Sequence, residues 1–77
     1  MSPQTLPPLT ADDIRLDLIS GSEWRVCDRR IPANDSRSVV GFIERHEFEY
    51  EVISVIAPGP VRSFGSLSTA TLSFAAV

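Results

Sequence analysis

The residues that could carry metal or acid–base chemistry are concentrated around the only histidine of the chain. His46 is preceded by Glu44 and followed by Glu47. These side chains could chelate an ion, but structural zinc sites use four Cys or His ligands, and the chain offers only Cys27 and His46. The segment after His46 also lacks the second histidine of the metalloprotease helix motif. We therefore expect a solvated, charged turn here, with no metal ion and no cofactor.

Covalent and acid–base catalysis receive little support from the other side chains. Lysine is absent, which excludes a Walker A loop and a Schiff-base mechanism. A serine nucleophile would need His46 as its base, and no nucleophile elbow accompanies it. Glu49 and Glu51 are close enough in sequence to act as a carboxylate pair, but we expect both to be exposed beside the turn. The sequence predicts a protein that is not an enzyme.

The element that must position these residues is a predicted β-hairpin over residues 38–56. Its two halves are rich in β-branched and aromatic residues, which suit a pleated, half-buried surface. A three-residue turn, or a five-residue turn of the same parity, would pair Phe42 with Tyr50. One face would then carry an apolar stripe, which we expect a C-terminal helix to cover. The stripe comprises Val40, Phe42, Phe48, Tyr50 and Val52.

The opposite face of the hairpin would be acidic near the turn and apolar at its far end. An uncovered apolar surface of this kind marks a contact with another molecule. The predicted partner-binding residues are Val39, Ile43, Ile53 and Val55. With 77 residues the domain is also small enough to gain stability from a partner. We expect a small non-enzymatic protein-interaction module, either a homodimer or a subunit of a complex.

A segment rich in arginine supports an alternative interpretation. Arg25, Arg29 and Arg30 lie on a predicted strand and in the connection that follows it. They could contact phosphates in a small DNA-binding regulator that inserts a three-stranded sheet into a groove. The net charge of −3 and the acidic hairpin disfavour this alternative, because nucleic-acid binding depends on basic surface.

The segments before the hairpin predict an extended arm followed by the start of the domain. Residues 1–9 contain three prolines and predict the arm, and residues 10–77 predict a single domain. Thr10 and the acids after it favour a short N-terminal helix. Ile14, Leu16 and Leu18 alternate with polar residues, however, so an additional strand remains the alternative.

Two further segments complete the predicted fold. Residues 23–28 predict a strand with Trp24 and Val26 facing the core. Ser66 can cap a C-terminal helix, whose inner face would carry Leu67, Ala70, Thr71 and Phe74. The fold class is therefore α+β: a three-stranded antiparallel sheet, a C-terminal helix, and a short N-terminal helix or fourth strand.

Cysteine usage and hydropathy bear on the cellular compartment. Cys27 has no partner for an intramolecular disulfide, and we expect it to be a small buried hydrophobe in a reducing compartment. No apolar run approaches the ~20 residues that cross a bilayer. The first residues also lack the basic start and apolar stretch of a secretory signal. The sequence predicts a cytoplasmic protein that does not contact the membrane.

Several short motifs resemble those of small actinobacterial proteins. The motifs are Trp24-Arg-Val-x-Asp28, Gly41-Phe-Ile-Glu44, Tyr50-Glu-Val52 and Ser66-Leu-x-x-Ala70. The exclusive use of arginine as the basic residue is also typical of a GC-rich bacterial gene. The resemblance implies a bacterial source and a sheet packed against a C-terminal helix. It implies no activity and no site residue.

Overall fold

The computed structural model describes residues 7–57 and 59–75 of the chain, which form one antiparallel sheet and one α-helix. The strands are β1 (Ile14–Ser20), β2 (Glu23–Asp28), β3 (Val39–His46), β4 (Glu49–Ser54) and β5 (Arg62–Phe64), and the helix is α1 (Leu67–Leu72). The order of the strands across the sheet is β1-β2-β3-β4-β5, the same as their order along the chain. The predicted α+β class, with an antiparallel sheet and a C-terminal helix, is confirmed. The prediction of three strands is wrong, because the described residues form five.

The first additional strand replaces the predicted N-terminal helix. The backbone N–H and the hydroxyl of Thr10 both donate to the Asp13 carboxylate, at 3.0 Å each. This interaction supports only a single 3-10 turn, Ala11–Asp13. The chain then becomes β1, because Ile14 and Leu16 alternate along it and both pack against the core. Strand periodicity therefore prevails over the helix-capping signal.

The second additional strand, β5, carries no sequence signal of its own. It has three residues, too few to show an alternating pattern. It pairs with β4, with Phe64 opposite Tyr50 and Arg62 opposite Val52. Phe64 also packs against the core. Tertiary pairing, rather than local preference, creates this strand.

The core lies on the face of the sheet that α1 covers. Its buried residues are Leu9, Ile14, Val26, Val40, Ile43, Val52, Ala70 and Phe74. The hydroxyl oxygen of Ser66 accepts a hydrogen bond from the backbone N–H of Thr69 at 3.1 Å, so the predicted N-cap is confirmed. The predicted inner face of the helix is confirmed by the burial of Ala70 and Phe74. Leu9, which was assigned to the extended arm, is part of the core; residues 1–6 of that arm lie outside the described residues.

The turn between β3 and β4 is shorter than predicted. Glu47 and Phe48 form a two-residue loop, and Glu47 has a positive φ of 28°, as such tight hairpin turns favour. Phe42 therefore pairs with Ile53 in place of Tyr50 and Ile43 pairs with Val52, so the predicted register is wrong by three residues. A shift by an odd number of residues moves the side chains of one strand to the opposite face relative to its partner. Phe42 consequently lies on the face away from α1, and Phe48 is exposed at the tip of the hairpin.

Gly41 lets the end of the helical segment approach the sheet, and we expect its replacement to be destabilising. A Cβ at this position would overlap the Phe74 ring and the backbone carbonyl oxygen of Ile53. The backbone oxygen cannot move without disturbing β4. Gly41→Ala should therefore lower the free energy of unfolding by about 1–3 kcal/mol, measured by urea denaturation.

Gly21→Ala is the matched control for this prediction. Gly21 lies in the turn between β1 and β2, and a Cβ there would meet no atom within 4 Å. We expect little change in the urea midpoint of this variant. Equal losses of stability at the two glycines would contradict the close contact between Gly41 and Phe74.

Candidate functional site

The face of the sheet opposite α1, called the outer face below, is uncovered among the described residues. Directly opposed residues of an antiparallel pair share a face, so the register assigns side chains to it. A bulge between Val26 and Cys27 places Val40 and Gly41 together on the core side and returns Val39 to the outer face, opposite Cys27. The outer face carries Arg15, Asp17, Glu23, Arg25, Cys27, Val39, Phe42, Glu44, His46, Glu49, Glu51 and Ile53.

An apolar patch, defined as Val39, Phe42, Ile53 and Val55, lies between the charged parts of this face. Phe42 and Ile53 are direct cross-strand partners. Ile53 is 49% exposed, and Val55, just beyond the end of β4, is 52% exposed. Val39 and Phe42 are half-buried. Three of the four predicted partner-binding residues, Val39, Ile53 and Val55, therefore belong to the apolar patch.

The fourth predicted partner-binding residue, Ile43, lies on the opposite face. Its exposed fraction is 0%, and its cross-strand neighbours are Trp24 and Val52. The assignment of Ile43 to the partner-binding surface is wrong, because the two-residue turn puts it in the core. Phe42, which was predicted to lie under the helix, takes its place on the outer face.

An acidic row crosses the outer face near the hairpin turn. Glu23, Glu44 and Glu51 are consecutive cross-strand partners, an arrangement of like charges that is unfavourable by itself. His46 lies beside two of these carboxylates, with its Nε2 2.6 Å from Glu44 Oε1 and 2.5 Å from Glu51 Oε1.

The acidic row and His46 contain the described residues that could bind a divalent ion. The ligand atoms of Glu44, His46 and Glu51 lie within 4.8 Å of one another. Glu47, which the sequence grouped with His46, is not in this set. Glu51 was missed because the predicted register placed it opposite Gly41. All three side chains are about half exposed, so water competes with an ion for the same oxygens.

The three arginines of the DNA-binding alternative are engaged differently. The guanidinium of Arg30 donates two 2.9 Å hydrogen bonds to the two carboxylate oxygens of Asp28 and one of 2.6 Å to the Pro7 carbonyl. Arg25 lies 3.6 Å from a carboxylate oxygen of Asp17, and Arg29 is exposed beyond β2. Two of the three positive charges face carboxylates, which leaves little basic surface for a phosphate backbone.

A second charge cluster surrounds Cys27 on the outer face. Arg15 donates hydrogen bonds of 3.1 and 3.2 Å to Asp17, and these bonds lower the pKa of the Asp17 carboxyl. The Cys27 thiol lies 3.7 Å from the same carboxylate and is 1% exposed. The prediction of a buried, small hydrophobe at Cys27 is confirmed. Burial of this thiol is typical of a structural cysteine rather than a reactive one.

Comparison with family models, with curated proteins and with solved structures found no match to this chain. The resemblance to small actinobacterial proteins therefore stays a prediction. Within the described ranges, α1 is far too short to cross a bilayer, and no other helix has the length and apolar character to do so.

The pairing of Asp28 with Arg30 predicts a pH-dependent contribution to stability. Hydrogen bonds from the Arg30 side chain hold the pKa of Asp28 below its usual value, although burial opposes the shift. The ionised form therefore contributes stability above the unfolded pKa of about 3.9, and this contribution is lost as the pH falls through the folded pKa. Asp28→Asn should lower the free energy of unfolding at pH 7 by about 1–3 kcal/mol.

Measurement of urea midpoints between pH 7 and pH 2 checks this prediction. The difference between the wild type and Asp28→Asn should shrink toward the acid end. Asp12→Asn is the control, because Asp12 is exposed on the turn before β1. A difference that stays constant over the whole pH range would contradict an electrostatic origin.

Proposed function

We propose that the protein is a small non-enzymatic interaction module that binds a protein through the apolar patch of its outer face. It works as a homodimer or as a subunit of a larger complex, in the bacterial cytoplasm and without a cofactor. The observation that carries this proposal is the exposure of Ile53 and Val55 beside Phe42, on a sheet face without a cover among the described residues.

The distribution of polar and apolar residues on the outer face supports this proposal. An antiparallel sheet that faces water normally carries polar side chains on its solvated face. The outer positions of β4 begin in this way with Glu49 and Glu51, and then change to Ile53. The patch thus has the acidic row on one side and Arg25 opposite Phe42 on the other. An apolar centre with a charged rim is the usual composition of a protein–protein interface.

The surroundings of His46 contain no side-chain hydroxyl or thiol nucleophile among the described residues. Its polar contacts among the described residues are the carboxylates of Glu44 and Glu51. A histidine that activates a side-chain nucleophile contacts a hydroxyl or a thiol, and neither carboxylate is such a group. Cys27, the only thiol, is buried elsewhere on the sheet beside Asp17.

Site-specific photo-crosslinking tests the proposed docking surface. A benzophenone amino acid is placed at position 53 or, as the matched control, at Leu72 on α1; both native side chains are 49% exposed. Each protein is irradiated in a lysate of a GC-rich actinobacterium. We expect a discrete protein adduct several-fold more abundant from position 53, because only that position lies in the apolar patch.

The mass of the adduct identifies the class of partner. An adduct of twice the chain mass indicates a second copy, and any other discrete mass indicates a different protein. Circular dichroism verifies that both labelled chains are folded. Equal labelling from positions 53 and 72, or the absence of a discrete adduct at position 53, would contradict the proposal.

A further inference from the structure

β1 is an edge strand whose outer edge is open among the described residues. It pairs with β2 alone. The described part of the arm does not cover it, since Leu9 packs in the core and the Pro7 carbonyl accepts a hydrogen bond from Arg30. Leu18 and Ile19 near the end of β1 are 64% and 48% exposed. An open edge of this length is a template for pairing with another strand.

The hydrogen bond between Arg29 and Asp13 shows which backbone groups point outward from this edge. The Arg29 N–H donates to the Asp13 carbonyl at 2.7 Å and extends the β1–β2 register by one pair. Hydrogen-bonded pairs alternate along an antiparallel ladder. Asp13, Arg15 and Asp17 therefore direct their N–H and C=O groups toward β2. The groups directed toward the open edge are those of Ile14, Leu16 and Leu18.

We propose that β1 pairs antiparallel with β1 of a second copy of this chain, about a two-fold axis through Leu16. In this register the outward backbone groups of Leu16 bond to those of the other Leu16, and those of Ile14 bond to those of Leu18. Arg15 of each copy lies directly opposite Asp17 of the other. The inference rests on the proposed function, an interaction module, and names a second copy as one partner.

Charge complementarity selects this register over its neighbours. An axis through Arg15 would place Arg15 opposite itself, and an axis through Asp17 would place Asp17 opposite itself. Like charges directly opposed across a sheet are destabilising, whereas opposite charges attract. Each Arg15 already donates to its own Asp17 at 3.1 and 3.2 Å. Pairing through Leu16 therefore joins the two pairs into one cluster of alternating charges.

The apolar side chains of β1 fit the same register. Leu18 is 64% exposed, whereas Ile14 is 8% exposed and belongs to the core. Antiparallel pairing places Leu18 of one copy beside Ile14 of the other and brings the two Leu16 side chains together. The two hydrophobic cores then lie side by side, so each small domain buries more apolar surface than it does alone. The contact is isologous, so it closes as a dimer and does not propagate.

Complementary charge variants of the purified chain test the pairing. In Arg15→Asp each copy presents two acids at the contact, and in Asp17→Arg each presents two arginines. Either variant alone should dimerise roughly tenfold to a hundredfold more weakly than the wild type, because two attractive pairs become repulsive. An equimolar mixture should form a heterodimer, because every facing pair is again of opposite sign. Sedimentation velocity over a range of concentrations measures all four samples.

Recovery of association in the mixture distinguishes a contact between two copies from effects of the substitutions within one chain. Neither variant regains its own Arg15–Asp17 bond on mixing, so restored association must come from pairs between copies. A wild type that stays monomeric at millimolar concentration would overturn the inference. So would a dimer that the charge variants leave unchanged, or folded variants that fail to associate when mixed.

Amide hydrogen exchange of the wild type provides a test that needs no substitution. The amides of Ile14, Leu16 and Leu18 should exchange more slowly at high protein concentration than at low concentration. Those of Arg15 and Asp17 are the internal control, because they bond to β2 in the monomer. Exchange at Leu16 that is independent of concentration would overturn the pairing.

The failure of this inference is distinguishable from that of the proposed function. Ile53 lies on β4, roughly 19 Å from β1 of a second copy at about 4.8 Å per strand, so a crosslinker there does not report the β1 contact. A discrete adduct at position 53 together with a monomeric purified chain would retain the interaction module and exclude the β1 dimer.

Discussion

The register of the β3–β4 hairpin is the constraint on which the rest of the structure depends. A two-residue loop with positive φ at Glu47 sets that register. Because side chains alternate along a strand, the loop determines in one step which residues α1 covers. It places Ile43 against Val52 under the helix and leaves Ile53 on the outer face. It also aligns Gly41 with Phe74, so the helical segment can approach the sheet closely.

Patterns with a strong periodic signal were sufficient to predict much of the fold. Alternation along β2 placed Trp24 and Val26 on the core side, and Ser66 marked the start of the helix; both appear in the structure. The N-terminal segment carries two competing signals: capping at Thr10 predicts a helix, whereas the alternation of Ile14, Leu16 and Leu18 forms β1. β5 could not be predicted, because three residues acquire strand geometry only from their pairing with β4.

The sequence predicts that the outer face has an apolar area, but not which residues form it. The sequence indicated an apolar area near the far end of the hairpin, and Ile53 and Val55 are indeed exposed. The sequence does not determine whether Ile43 or Phe42 lies on the outer face, because the charged turn lacks the Asn-Gly signal that specifies a two-residue loop. The same three-residue shift puts Glu51 opposite Gly41 in the predicted hairpin, away from Glu44 and His46. One turn therefore accounts for the errors at the patch and at the acidic row.

The bulge opposite Val26 interrupts the alternation of side chains between the two faces of β3. In a regular strand Val39, Val40 and Gly41 would point to alternate faces. With Val40 in the core, both Val39 and Gly41 would then lie on the outer face. The extra residue lets Val40 and Gly41 both face the core while Val39 remains outside. Sequence change at position 39 can therefore alter the surface without disturbing the interior. Loss of one residue here would turn the side chains at the N-terminal end of β3 to the opposite faces of the sheet. The number of residues at this point is therefore under stronger constraint than their identity.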